Sequence, residues 1–124
     1  MSLTLNDYQT QSRGTAAYPS VAIVDPESNK PLTEPLGWVY PALKLAGEAG
    51  EVAEKLGKLL RDSNGEVTPK VRLEVAKELG DVLWYVAALA EEFDLKLSVV
   101  GEVNIEKLKD RRERGVIQGS GDNR

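Results

Sequence analysis

Two segments of helical apolar periodicity, placed on either side of one strong turn, constrain this chain more than any other feature. From about Val39 to Leu60, the residues Ala49, Val52, Ala53, Leu56 and Leu60 recur at the spacing of one helical face. From Val71 to about Phe93, Val75, Leu79, Val82, Leu83, Val86 and Ala90 do the same. Between them RDSNGEVTPK carries Asn64-Gly65 at its middle and Pro69 where the second helix opens. Long helices joined by so short a connection pack antiparallel, so the centre of the fold is expected to be a helical hairpin.

The flanks are simpler. Residues 4 to 14 read as a first helix, with Thr4 or Asn6 as its N-cap and Gly14 as its stop. Pro19, Pro26, Pro31 and Pro35 then make residues 18 to 37 an extended loop, in which only VAIV at 21 to 24 hints at a strand. A last helix is expected from Ser98, as its cap, to about Arg114, and GVIQGSGDNR is Gly-rich. The expectation is an all-α antiparallel bundle over residues 1–115 with a long proline-rich loop after the first helix, and a flexible tail at 116–124.

The stretch VLWYVAALA, residues 82 to 90, is apolar nearly all the way round, which calls for cover on more than one side. A domain with so few elements is expected to find that cover in a second copy. Trp84 and Ala88 are the candidate interface positions, and the competing reading is a core helix under the proline loop.

Composition narrows the chemistry. With 124 residues there is one domain, and with no cysteine and no histidine the thiolate and imidazole metal sites and every His-based nucleophile relay are excluded. Twenty acidic against sixteen basic residues give a net charge of −4, which argues against nucleic acid as a partner. MSLTLNDYQTQSR has no apolar leader core, and no stretch approaches the ~18 apolar residues of a membrane span. The chain reads as soluble and cytoplasmic, with carboxylates as its chemical resource.

Those carboxylates are patterned. With the turn centred on Asn64-Gly65, Glu48 falls level with Asp81 and Glu51 with Glu78, so an E-x-x-E on one helix meets an E-x-x-D on the other. Four acids at one level repel each other unless a cation compensates them. An all-oxygen ligand set suits a hard divalent ion, Mg²⁺ first and Mn²⁺ as its substitute. Glu54 and Glu74 read as surface charges, Glu74 being level with Lys55 as an ion-pair partner. The glycines of GEAGEVAEKLGK, each costing roughly 1 kcal/mol in a helix relative to alanine, are then explained by close approach of backbones or ligand at Gly47, Gly50 and Gly80. Gly57 is left to helix packing.

GEAGEVAEKLGK, then KELGDVLWYVAALAEEF, then VNIEKLKDRRERG resemble the MazG-like nucleoside triphosphate pyrophosphohydrolases of the all-α NTP pyrophosphatase superfamily, in order and spacing over roughly residues 40 to 115. YQTQSRGTAAYP and GSGDNR are similar to the ends of phage and bacterial single-domain members. The resemblance implies hydrolysis between the α and β phosphates of a nucleoside triphosphate, Mg²⁺ held by Glu48, Glu51, Glu78 and Asp81, and assembly as a dimer or tetramer. It also implies a phosphate-holding face on the last helix. Asn104, Lys107 and Arg111 lie at i, i+3 and i+7, and the family's N-x-x-K-L matches Asn104, Lys107 and Leu108. A solvated basic face is the competing reading for these residues and the preferred one for Arg112 and Arg114. Tyr85, one turn after Asp81, matches a family position that stacks on the base or ribose, with a generic packing role as the competing reading. One departure stands out: where the family often has a further acid before E-x-x-E, this chain has Gly47. Phosphoribosyl-ATP pyrophosphatase shares the acid pattern and is the alternative within the superfamily. A non-catalytic helical module binding a structural cation or a basic partner is the alternative outside it.

Overall fold

The computed structural model describes residues 1–124 and contains four α-helices and no strand: α1 (Leu5–Ser12), α2 (Val39–Ser63), α3 (Pro69–Glu92) and α4 (Leu97–Glu113). A short 3₁₀ turn, Arg13–Thr15, extends α1. Of the two candidate caps for α1 it is Thr4 that serves: its hydroxyl accepts the Asp7 amide at 3.1 Å while the Asp7 carboxylate accepts the Thr4 amide at 3.1 Å, a reciprocal capping box.

The central hairpin forms as expected, and its ends show why. Asn64 and Gly65 both adopt left-handed backbone, φ 49° and 75°, and both their amides donate back to the Leu59 carbonyl, which stops α2. Asparagine and glycine are the residues that reach this region at least cost. Thr68 then caps α3 by accepting the Val71 amide at 3.2 Å, with Pro69 at the first helical position, two residues before the periodicity begins. The register follows: Lys55 Nζ lies 3.8 Å from Glu74, its level partner.

α1 lies across α3 and the start of α4. Tyr8 Oη donates to the Gly80 carbonyl at 3.4 Å, and buried Gln9 donates to the Leu95 carbonyl at 2.8 Å. The cap of α4 departs from the sequence reading. Ser98 lies inside the helix, and the Leu97 and Ser98 amides donate to Gln9 Oε1 at 2.8 Å and Asn6 Oδ1 at 3.0 Å. The orphan amides of α4 are therefore satisfied from α1, eighty-odd residues away, an arrangement no local pattern announces.

Residues 16–38 carry two isolated antiparallel bridges, Val21 with Leu36 and Val24 with Pro31, so VAIV pairs at its two ends without becoming a strand. Asp25 closes the ribbon by accepting the Glu27 and Ser28 amides at 2.8 Å each. The C-terminal residues fold back along α4. There Arg111, 5% exposed, donates to the carbonyls of Gly121 and Asp122 at 3.3 and 3.0 Å.

The buried apolar core is small: Ala87, Ala88, Ala90 and Leu97, with Pro41. Ala88 therefore belongs to the protomer's interior, and Trp84 is engaged within the chain, donating to Thr15 Oγ1 at 2.8 Å and meeting Tyr18 edge to face. Ala88 is thereby removed as an interface position, while Trp84 stays partly exposed. The segment after α1 covers that side of α3. What stays exposed is elsewhere: Leu43, Leu56 and Leu60 on α2, Leu73, Leu79 and Leu83 on α3, and Val103 and Ile105 on α4. The expected close approach of backbones at Gly47, Gly50 and Gly80 is not met within the protomer, because a Cβ at any of them, or at Gly57, would meet nothing within 4 Å. No helix is long and apolar enough to cross a membrane.

Candidate active site

The hairpin brings three of the four expected acids together. Glu48 from α2 and Glu78 and Asp81 from α3 each offer a carboxylate oxygen, and these oxygens lie within 4.8 Å of one another. Glu48 is 9% exposed and Asp81 faces solvent, so the cluster sits at the rim of the helix interface and is open on one side. Glu51, one turn beyond Glu48, does not join this group. It is exposed and lines a neighbouring cavity together with Glu78, Glu54, Glu74 and Lys55.

Glu48 and Asp81 open onto a different cavity of about 470 Å³, walled by Tyr18, Pro19, Tyr40, Trp84 and Tyr85. Tyr18 and Tyr40 stack with their planes 9° apart, and Trp84 meets Tyr85 edge to face at 4.9 Å between centroids. Tyr18 is held from behind by donating its hydroxyl to the Glu92 carboxylate. Burial pushes the Tyr85 hydroxyl pKa up, with Tyr40 adding to the effect, and burial raises those of Tyr18 and Tyr8 as well. These rings are neutral, flat and apolar faces at ordinary pH, suited to stacking on a planar heterocycle.

Two lysines meet the acids. Lys44 Nζ lies 3.2 Å from Glu48 and 6.0 Å from the Tyr85 ring centroid, and the Glu48 hydrogen bond raises the Lys44 pKa. Lys55 Nζ lies 3.4 Å from Glu78. On α4, Lys107 and Arg111 share one tail carboxylate, Asp122, at 3.5 and 3.3 Å, and Asn104 on the same helix is exposed. None of these three α4 residues lines the aromatic cavity.

Tyr85, which the sequence offered as a stacking residue, lines this cavity, and sequence reasoning missed Tyr18, Tyr40 and Trp84 as its walls. Tyr18 comes from the loop, where no periodicity exists to locate a side chain. Lys44 was legible, since it stands at i−4 from Glu48.

The MazG nucleotide pyrophosphohydrolase domain family matches residues 42–116 of the chain, which takes in the hairpin, all four acids and α4. This protein belongs to the MazG family. Its similarity to one phage protein runs further than the domain: the "Gene 37 protein" of Mycobacterium phage L5 is 46% identical over 117 residues, covering 94% of this chain and 96% of the relative. No solved structure matches. The all-helical architecture accords with MazG membership, and nucleotides are the substrate class that the family description names.

The donor set fits a divalent cation. Three carboxylates with converging oxygens, open to solvent on one side and lacking nitrogen or sulfur donors, match the preference of Mg²⁺ and Mn²⁺ for oxygen ligands with room left for water and phosphate.

Proposed function

We propose that this MazG-family chain is a Mg²⁺-dependent hydrolase that cleaves nucleoside or deoxynucleoside triphosphates to the monophosphate and pyrophosphate, acting on the cytoplasmic nucleotide pool as a homo-oligomer. One observation carries the reading: the Glu48, Glu78 and Asp81 carboxylates converge, and two of them, Glu48 and Asp81, line an aromatic cavity. A base stacked among Tyr18, Tyr40, Trp84 and Tyr85 directs its phosphates outward, over the acids. A polyphosphate beside three carboxylates is repelled unless a divalent ion lies between them, so the pocket and the cluster make chemical sense together.

Glu48, Glu78 and Asp81 would hold the ion, with Glu51 reaching the set by rotation of its exposed side chain. The ion supplies neutralisation of phosphate-oxygen charge as the α–β bridge breaks. A carboxylate of the cluster orients the attacking water and takes its proton, while the P–O bond electrons leave with pyrophosphate. Lys107, Asn104 and Arg111 are assigned to the outer phosphates, whose oxygens would replace the Asp122 carboxylate now paired with the two cations.

Oligomerisation is supported by what the protomer leaves uncovered. Leu56, Val67 and Leu79 line an open apolar groove at the turn end of the hairpin, and Leu60 near that end of α2 is exposed as well. A chain of this length ordinarily buries far more apolar surface than five core residues supply.

The test is a panel of dNTPs and NTPs with Mg²⁺, products resolved by chromatography. Monophosphate and pyrophosphate in equal amounts, abolished by chelation, is the expected result. Diphosphate and phosphate, or no product with any nucleotide, would overturn the proposal.

A further inference from the structure

Along α2 the residues Lys44, Glu48, Glu51 and Lys55 stand at i, i+4, i+7 and i+11, a single stripe in which two acids are bracketed by two lysines. The stripe is used. Lys44 Nζ lies 3.2 Å from Glu48 Oε1, and Lys55 Nζ lies 3.4 Å from Glu78 Oε1 and 3.8 Å from Glu74 Oε2. Asp81, the third member of the cluster, has no ion-pair partner. Three negative charges within a few ångströms are thus met by two positive ones from the same helix.

We propose that Lys44 and Lys55 are resident counter-cations of the acid cluster, holding Glu48 and Glu78 in the metal-free protein and giving way when a divalent ion enters. The inference rests on the metal reading of the cluster given above. It follows from a competition for the same atoms, because the carboxylates that would ligate the ion are the ones the ammonium groups occupy. Both lysine side chains are about one-third exposed, 37% and 32%, so each has water to move into when displaced. A lysine ammonium is a mobile point charge on a flexible stem, suited to such exchange. The bracket has two consequences of opposite sign. It stabilises the acids while the site is empty of metal, and it weakens the metal's hold. The lysines act through the carboxylates and are positioning residues.

The experiment uses the full chain without nucleotide, titrated with Mn²⁺ and read by the electron paramagnetic resonance of the free ion, alongside thermal melts with and without Mn²⁺. Lys44→Met and Lys55→Met are each expected to bind Mn²⁺ roughly two- to fivefold more tightly, the range by which partly exposed ion pairs shift an equilibrium. Their metal-free forms melt at lower temperature than the wild type, and Mn²⁺ raises the melting temperature by more. Lys44→Arg, which keeps the charge, retains the wild-type affinity, and Lys44→Gln repeats the result with a polar neutral side chain. Should the neutral variants bind Mn²⁺ with unchanged or weaker affinity while the wild type binds it, the counter-cation role is refuted and the metal site stands. A wild type that does not bind Mn²⁺ refutes both.

Discussion

Tyr18 and Tyr40 stack with ring centroids 6.2 Å apart and planes 9° from parallel, although one belongs to the loop after α1 and the other to the first turn of α2. That pair, closed by Trp84 and Tyr85, gives the acid cluster a neighbour able to hold a planar base.

Removing one ring should therefore weaken nucleotide binding more than chemistry. Base–aromatic stacking is worth ~1–3 kcal/mol per ring, so Tyr18→Ala is expected to raise KM on the order of tenfold with a smaller change in kcat. Tyr18→Phe, which keeps the ring and loses only the bond to Glu92, stays within a few-fold of wild type. Steady-state kinetics on both variants decide it, and a Tyr18→Ala effect confined to kcat would remove the base from this cavity.

Asp81→Asn and Glu51→Gln are each expected to lose most turnover, about a hundredfold or more where charge stabilisation of several kcal/mol is withdrawn. Neither should unfold the protein. Removing a charge from a crowded acidic group relieves repulsion, so the metal-free Asp81→Asn variant melts at or above the wild-type temperature. Wild-type turnover in Asp81→Asn would sink the site.

The start of α4 depends on α1. Gln9 is buried and accepts the Leu97 amide, so Gln9→Leu leaves that amide without a partner at a cost of about 1–3 kcal/mol. Asn6→Ala withdraws the cap of the Ser98 amide for about 1 kcal/mol. Urea unfolding followed by circular dichroism measures both. Equal stability of wild type and Gln9→Leu would mean that α4 finds its cap elsewhere.

Light scattering after size exclusion should give the mass of a dimer or tetramer at micromolar concentration. Leu79→Lys, which puts a charge on the exposed face of α3, is expected to shift that mass toward the protomer. A wild type that runs at 13.6 kDa would leave the exposed leucines without an occupant.

Stability should fall at both ends of the pH scale for identifiable reasons. The Asp7 carboxyl is held below its ordinary value of 3.8 by hydrogen bonds from Thr4, so its contribution is full above that pH and is lost as pH falls through the depressed value. Asp7→Asn flattens this acid limb. Tyr18 behaves oppositely: burial and then the bond to Glu92 raise it above 10.0, so its contribution is full below that pH and disappears as pH rises through the raised value. Thermal melts across pH, with Tyr18→Phe as the comparison, show whether the alkaline limb belongs to it.

The four helices, the hairpin, its turn and its register were all legible from the chain, because each is written in local terms. Periodicity marks a helical face, Asn64-Gly65 and Thr68-Pro69 mark where backbone hydrogen bonding stops and restarts, and equal spacing from the turn puts Lys55 opposite Glu74. The same bookkeeping set Glu48 level with Asp81 and Glu51 with Glu78, and of those four acids Glu48, Glu78 and Asp81 come together while Glu51 does not. Tertiary structure alone decided the rest. Asn6 and Gln9 cap a helix that begins some ninety residues later, Thr15 and Tyr18 come to meet Trp84, and Tyr18 and Tyr40 become one wall. Those contacts join residues distant in sequence through loops without a period, so they come into being only when the whole chain has packed and its buried polar groups have found partners.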